Sequence, residues 1–181
     1  MDLFMPSERI IEEICTNPEN LVKQYTIFEF PKENSSTLET HLRSIFSGVS
    51  HQIAEFYHWG LDIKKNMITQ KLQLVLEALT NSVAHSLEKS IHYGLFLGDK
   101  GVCHGFRDFG DYFKSSIIKQ KFENKEEVAK KDGITKGFSG CHAGVEHYLY
   151  PYSDTIEVDT NKGILYCVQL KKSLDKNVSR E

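Results

Sequence analysis

Three polar residues recur at intervals of four in the stretch 66–88, which has the pattern of a long helix. Glu77, Asn81 and His85 would stand one turn apart in such a helix, in a file along one face. A carboxylate, an amide and an imidazole are side chains that can hold cations, orient hydroxyl groups or move protons. The opposite face would carry an apolar stripe that packs into a core, formed by Leu72, Leu76, Leu79 and Val83.

Two interpretations of this polar file are open from the residues alone. The first is a solvated helix face, which is what most polar stripes are. The second is the wall of a cavity, because the flanking positions are Leu74, Ala78 and Ala84 rather than charged residues. Asn is also a poor helix former in a helix interior, so its presence at position 81 favours the second interpretation.

The segments around this helix show both strand and helix patterns. Residues 25–30 have strand composition and precede a long amphipathic helix that Ser35 and Ser36 can cap and that runs to Phe56. Two later pairs of apolar runs are typical of β-hairpins, because glycine-containing turns join them. The predicted strands of these hairpins are 91–97 with 102–107, and 155–158 with 164–170.

Together these elements predict an α+β fold, a two-layer sandwich whose mixed, mostly antiparallel sheet carries helices on one face. Residues 1–24 form an N-terminal helical appendage in this prediction, with Ser7 and Asn17 as helix caps. The main domain spans 25–170, and residues 171–181 form a polar, frayed tail.

Composition and charge exclude several classes of partner. The chain has 181 residues with 22 Lys and Arg against 25 Asp and Glu, a net charge of −3, which gives no broad basic surface for nucleic acid. No apolar run approaches the roughly 18 residues that a membrane-spanning helix needs. The four cysteines lie far apart and form no Cys-x-x-Cys pair, as expected of reduced thiols. We therefore expect a cytoplasmic protein without nucleic-acid or membrane partners.

The polar file also resembles a known motif. Its sequence, Glu77-Ala-Leu-Thr-Asn81-Ser-Val-Ala-His85, is similar to the N box of the GHKL, or histidine kinase-like, ATPase fold. The residue pattern is most similar to the N box of the anti-sigma factor serine kinases, which reads Glu-Ala-x-x-Asn-Ala-x-x-His. Other landmarks of that family follow in order: a hairpin, an Asp-x-Gly box at Arg107-Asp108-Phe-Gly110, a lid at 113–136, a glycine box and a closing strand pair.

The resemblance implies a site for ATP and Mg²⁺ and gives roles to the residues of the file. Asn81 would hold Mg²⁺ through its amide oxygen, which is a hard, neutral donor. Glu77 would be the catalytic base that orients and deprotonates the attacking hydroxyl. His85 would contribute to cofactor binding at the rim of the site.

The other implied residues would bind the nucleotide itself. Asp108 would accept a hydrogen bond from the adenine amino group, and Gly110 would let the backbone pass close to the base. Lys136 would add positive charge beside the phosphates. The loop that cradles those phosphates would be the glycine box, formed by Gly137, Gly140 and Gly144.

Two functions from different classes stay open. The first is an ATP-dependent serine kinase or ATPase that transfers the γ-phosphoryl group to a protein serine or to water. The second is a degenerate, non-catalytic module of the same fold that regulates a partner protein, as three departures from the family pattern indicate. The glycine box is unevenly spaced, Asp111 and Tyr112 follow Gly110 where a second glycine is usual, and the last hairpin reads Gly163-Ile164-Leu165 where Thr often follows the glycine. A homodimer is also implied, because family members often pair.

Overall fold

The computed structural model describes residues 4–29, 35–59, 72–85, 90–107 and 152–175. Within them, five strands form one antiparallel sheet in the order β1-β2-β3-β5-β4. The strands are β1 (Val22–Glu29), β2 (Ser90–Leu97), β3 (Gly101–Arg107), β4 (Thr155–Asp159) and β5 (Ile164–Leu170). The helices are α1 (Glu8–Ile14), α2 (Ser35–Phe56), α3 (Gln73–His85) and α4 (Lys171–Asp175), and a short 3₁₀ turn covers Pro18–Asn20. The predicted α+β class is confirmed.

Both predicted hairpins are present, and their turns explain why. In the first, the Gly98 amide donates to the Gly101 carbonyl at 2.9 Å and closes the link between β2 and β3. In the second, Gly163 adopts a φ of 67°, a left-handed conformation that favours glycine. The Asp159 carboxylate accepts hydrogen bonds from the amides of Asn161 and Lys162, each at 3.0 Å, so this turn is fixed by its own residues.

The two surfaces of the sheet build two separate cores, because successive strand residues point to opposite sides. We call the surface under α2 and α3 the helix face and the other surface the N-terminal face. The helix face contributes alternate strand residues that pack against the two long helices, among them Ile91, Leu95, Phe106, Val158 and Leu165. The N-terminal face contributes the residues between them, among them Phe96, Cys103, Ile164, Tyr166 and Val168.

The N-terminal segment is packed on the sheet, in contrast to the predicted appendage. Ser7 caps α1 as predicted, since its side chain accepts from the Ile10 amide. However, Ile10 and Ile14 are fully buried against the N-terminal face, and α1 contacts β3 and β5. The first strand also starts at Val22 rather than at residue 25, because the extra residues extend its pairing with β2. A second hydrophobic core therefore accounts for a segment whose local pattern shows only short helices.

The chain beyond β5 also differs from the predicted frayed tail over its first five residues. They form α4, which holds Leu174 in the helix-face core at 2% exposure. The Asp154 carboxylate accepts from the Leu170 amide and from the Ser173 hydroxyl, each at 2.7 Å, and so fixes the start of this helix. Helix α4 is thus anchored at its start by Asp154 and in the core by Leu174.

The turn between β2 and β3 is the point where several helices meet the sheet. The Lys100 amide donates to the Ile14 carbonyl at 2.9 Å, and the Tyr57 hydroxyl donates to the Gly98 carbonyl at 2.8 Å. A Cβ atom on Gly98 would lie 2.1 Å from the carbonyl oxygen of Ile14. Only glycine permits this approach, so the turn joins α1 on one side of the sheet to the end of α2 on the other.

Candidate functional site

Helix α3 carries the predicted polar file, and its backbone is helical from residue 73 to 85. The helix lies against β2 and β3 of the sheet and against α2. The remainder of the predicted span 66–88 lies outside the described residues, except for Leu72 at the start of the helix. Among residues 72–79, for which burial is described, the buried ones are Leu72, Leu74, Val75, Ala78 and Leu79.

The buried side of α3 is rotated relative to the predicted stripe. Leu76, which was expected in the core stripe, is only partly buried, whereas Leu74 and Ala78, expected as flanks, are buried. The physical reason is that α3 packs against α2 as well as against the sheet, so contacts cover a wider arc than one apolar stripe. Leu74 and Ala78, two of the three residues that flank the polar file, therefore belong to the core.

Glu77, the first residue of the polar file, lies at the margin of this buried side. Positions 77, 81 and 85 occupy successive turns of one continuous helix, about 6 Å apart along its axis. The Glu77 side chain is half-buried and next in sequence to the buried Ala78. For Asn81 and His85 the structure describes the backbone, which places both residues on the same helix face as Glu77. Half burial of Glu77 is typical of a group at the edge of a core rather than on an open face.

The predicted nucleotide-binding residues follow the described part of the sheet. Asp108, Gly110 and Lys136 lie outside the described residues, as do the predicted lid 113–136 and the glycine box of Gly137, Gly140 and Gly144. Asp108 comes directly after Arg107, the last residue of β3, and β3 is one of the two strands that support α3. Chain connectivity thus leads from the strand beneath the polar helix straight into the predicted adenine box.

A buried polar chain, which the sequence interpretation missed, lies in the core of the helix face. The Tyr93 hydroxyl lies 2.8 Å from Nδ1 of His104, and Nε2 of His104 lies 3.1 Å from Oε1 of Gln169. Nε2 of Gln169 donates to the Tyr152 carbonyl at 2.8 Å. That donor fixes the amide orientation, so His104 donates from Nε2 to Gln169 and accepts at Nδ1 from Tyr93.

Burial favours the neutral form of His104 and Tyr93, the two titratable members of this polar chain. Desolvation lowers the pKa of His104 from 6.5 to about 4, although its hydrogen bond to Gln169 opposes the shift. Desolvation also raises the pKa of Tyr93, and the nearby thiols of Cys103 and Cys167 raise it further. The chain is thus a set of neutral donors and acceptors that satisfy one another inside the core.

A sequence signal for these residues does exist. Along β3, His104 shares its face with the apolar Val102 and Phe106, and along β5, Gln169 shares its face with Leu165 and Cys167. A polar residue at an inward position of an apolar strand requires a buried partner. Alternation alone could therefore have indicated a buried hydrogen-bond pair, although not which residues pair.

The donor types on α3 fit the cofactor that the resemblance implies. Mg²⁺ prefers hard oxygen ligands and usually keeps water and substrate phosphate oxygens among them, with one or two oxygens from protein. A carboxylate at position 77 and an amide at position 81 are oxygen donors on adjacent turns of one helix.

Comparison of the chain with known protein families and with curated proteins finds no match. In the described part of the chain, no helix combines the length and apolar character needed to cross a membrane.

Proposed function

We propose that the chain is a cytoplasmic GHKL-type domain that binds ATP with Mg²⁺ and transfers the γ-phosphoryl group to a serine of a partner protein or to water. One observation supports the proposal most. The helix that carries the N-box-like residues Glu77, Asn81 and His85 lies on β2 and β3, and β3 leads directly into the Asp-x-Gly sequence at Asp108. The family order of motifs thus coincides with a helix and a hairpin that are packed together.

The residues of α3 would act at the phosphate end of the nucleotide. When bound, Mg²⁺ neutralises phosphate charge. Asn81 would hold the metal through its amide oxygen, and His85 would bind at the rim. The Glu77 carboxylate would orient the attacking hydroxyl and take its proton as the oxygen bonds to the γ-phosphorus. The bond from the γ-phosphorus to the bridging oxygen breaks, its electron pair stays on that oxygen, and ADP leaves.

The half burial of Glu77 suits the role of a base. A carboxylate on an open surface is surrounded by water, whereas one at the edge of a core faces a drier environment yet remains within reach of a substrate. The residues around it, such as Leu74 and Ala78, are buried and fix the position of its helix turn. Asp108 and Gly110 would contact adenine, and Lys136 and the glycine box would contact the phosphates.

The first two residues of β5, which follow the glycine of the last hairpin, favour a second function. Ile164 and Leu165, which stand where the family often has Thr, are both fully buried, one in each core of the sheet. Neither side chain can donate or accept a hydrogen bond, so neither supports adenine recognition. A non-catalytic module that regulates a partner protein without nucleotide is consistent with this change.

Thermal unfolding with and without Mg²⁺-ATP separates the two functions. A ligand at 100 times its dissociation constant stabilises the native state by about 2.7 kcal/mol, which is readily measured as a rise in melting temperature. We expect this rise for the wild type, its Mg²⁺-dependent part to vanish in Asn81→Ala, and a weaker rise in Asp108→Asn. No rise at millimolar nucleotide would refute nucleotide binding and leave the interaction module.

Turnover is tested with a matched pair of variants. Glu77→Ala should keep the nucleotide-dependent rise and lose phosphoryl transfer, because the base is removed while the metal ligand remains. Glu55→Ala removes a carboxylate of α2 whose side chain is 75% exposed, and should keep both properties. Equal loss of transfer in the two variants would contradict the role of Glu77. Nucleotide binding by the wild type without transfer to water or to any partner would leave a nucleotide-sensing role.

A further inference from the structure

Exposed apolar side chains are concentrated on one strand. Among the described residues, the large hydrophobic side chains that are exposed are Val22 at 39%, Tyr25 at 44% and Ile27 at 60%, and all three belong to β1. Single exposed apolar residues are ordinary, but Tyr25 and Ile27 are two positions apart, so both lie on the N-terminal face and form a patch there, whereas Val22 faces the other side of the sheet. This patch needs a physical explanation, because the inner strands β2, β3 and β5 are almost entirely buried.

The strand that carries the patch is at the edge of the sheet. In the described part of the chain β1 pairs with β2 alone, whereas β2, β3 and β5 each have two neighbours. The outer edge of such a strand presents backbone donors and acceptors that can pair with another strand. Helix α1 packs on the N-terminal face against β3 and β5, which are the second and third strands from β1 in the order of the sheet.

The exposed patch is held in place from beneath. The Tyr25 ring meets the rings of Phe4 and Phe96 edge-on, with centroid distances of 5.9 and 5.8 Å. Its hydroxyl also contacts the sulfur of Met5 at 3.7 Å. A side chain that is already ordered in the free protein loses little conformational entropy on association, which favours a binding role for its exposed side.

We propose that β1 pairs antiparallel with β1 of a second copy of this chain, around a twofold axis at Thr26. The sequence of the strand is self-complementary about that residue. Lys23 comes to lie opposite Glu29 of the second copy, and Tyr25 comes to lie opposite Ile27. The symmetry repeats each pair, so the contact contains two opposite-charge pairs and two aromatic–β-branched pairs, which are stabilising cross-strand combinations.

The charged residues Lys23 and Glu29 favour this register over the two adjacent antiparallel registers. An antiparallel pairing of identical strands is centred on a residue, so the adjacent alternatives are centred on Tyr25 or Ile27. The first alternative places Lys23 opposite Ile27, and the second places Glu29 opposite Tyr25. Both leave the charges without opposite partners across the strands. The pairing centred on Thr26 is the one that matches both charges and places the two most exposed apolar side chains together.

The resemblance implies that the protein pairs, but the surface and register proposed here come from β1 and do not depend on nucleotide binding. Charge reversal tests them by sedimentation equilibrium. Lys23→Glu and Glu29→Lys should each weaken the wild-type dimer about tenfold or more, because each turns two attractive pairs into repulsive ones. A mixture of the two variants should form a heterodimer of restored affinity, since every charge again faces its opposite.

The control for this experiment is Lys172→Glu, the same charge change at an exposed position of α4, which should dimerise like the wild type. A monomeric wild type at all concentrations would overturn the proposal. A dimer that is indifferent to both β1 reversals would also overturn it, as would a mixture that does not reassociate. If the wild type is monomeric but binds an extended peptide along β1, the strand binds another partner, and the proposal that β1 pairs with a second copy of this chain is wrong.

Cross-linking tests the twofold axis directly. Thr26→Cys would bring two thiols opposite each other on paired strands, within the range of Cα separations that a disulfide spans. Oxidation should give a covalent dimer on a non-reducing gel. Asn161→Cys, in the exposed turn between β4 and β5, should stay monomeric under the same conditions. Of the four native cysteines, Cys15, Cys103 and Cys167 are buried, and Cys141→Ser in both variants removes the fourth from the test. Absence of the Thr26→Cys dimer would contradict the proposed centre.

Discussion

Protonation of one buried imidazole should control how stability depends on pH. His104 is fully buried and hydrogen-bonded in its neutral form between Tyr93 and Gln169. A proton on Nδ1 would remove the acceptor of the Tyr93 hydroxyl and place a charge in an apolar core. Acidification from pH 7 to pH 5 should therefore destabilise the native state through this residue.

The size of the effect follows from the two pKa values. The pKa of His104 is 6.5 in an exposed setting and about 4 in the fold, so the unfolded chain binds the proton more tightly. The stability that depends on neutral His104 is fully present well above pH 6.5 and is lost progressively as the pH falls from 6.5 towards 4. A difference of one in pKa corresponds to about 1.4 kcal/mol, which gives about 3 kcal/mol over the full range and about 2 kcal/mol at pH 5.

Urea unfolding at a series of pH values measures this loss. Fluorescence of Trp59, the only tryptophan in the chain, reports the transition because its ring packs 4.7 Å from that of Tyr57 beside the helix-face core. His104→Gln keeps a donor and an acceptor but cannot take up a proton, so it should lose the pH-dependent part. His51→Gln changes an exposed histidine of α2 and should keep it. Parallel loss of stability in the wild type and His104→Gln between pH 7 and pH 5 would refute this reasoning.

Two further predictions concern the turn between β2 and β3. Gly98→Ala should destabilise the fold by at least about 2 kcal/mol in urea unfolding, because its Cβ would meet the carbonyl of Ile14 at 2.1 Å. Gly48→Ala, within α2 and with nothing within 4 Å of the new Cβ, should instead stabilise by up to about 1 kcal/mol; destabilisation there would contradict the packing. Asp99 accepts from the amide and hydroxyl of Thr16 at 2.7 and 2.6 Å, and these bonds lower its pKa to about 2. The stability that the Asp99 carboxylate contributes is present above its ordinary pKa of 3.8 and is lost as the pH falls towards 2. Asp99→Asn should therefore be less stable than the wild type at pH 6, and the difference in stability should shrink in acid. A difference that does not change with pH would exclude the hydrogen-bonded carboxylate as its cause.

The elements predicted best are those with strong local signals. Ser7 and Asn17 cap the helical turns that follow them, and both hairpins form at their glycine-containing turns. The long helix over Ser35–Phe56 also agrees with its apolar periodicity. In each case neighbours in sequence supply the hydrogen bonds or the repeating pattern, so the information is present in a short window.

The features that were missed depend on contacts between distant residues. Ile10 and Ile14 read as part of a short isolated helix, and only the apolar surface around Tyr166 explains their burial. His104 and Gln169 are 65 residues apart in sequence, so the residues around either one do not indicate which residue it pairs with. Helix α3 was predicted, but which of its sides is buried depends on how α2 packs against it. The apolar periodicity within α3 carries no information about that packing.

The candidate site was predicted as a set of motifs, and the structure tests the part that lies on α3. Helical backbone over Glu77, Asn81 and His85 is confirmed, and the half burial of Glu77 agrees with the margin of a core. The roles given to these residues and to Asp108 stay predictions, because they depend on a ligand and on residues outside the described ranges.

Equilibrium titration of the protein with Mg²⁺-ATP by isothermal calorimetry tests the central claim most directly. We predict a saturable binding isotherm with one site per chain, which loses its dependence on Mg²⁺ in Asn81→Ala and is retained in Glu55→Ala. No measurable binding of Mg²⁺-ATP to the folded wild type at millimolar concentrations would contradict the account.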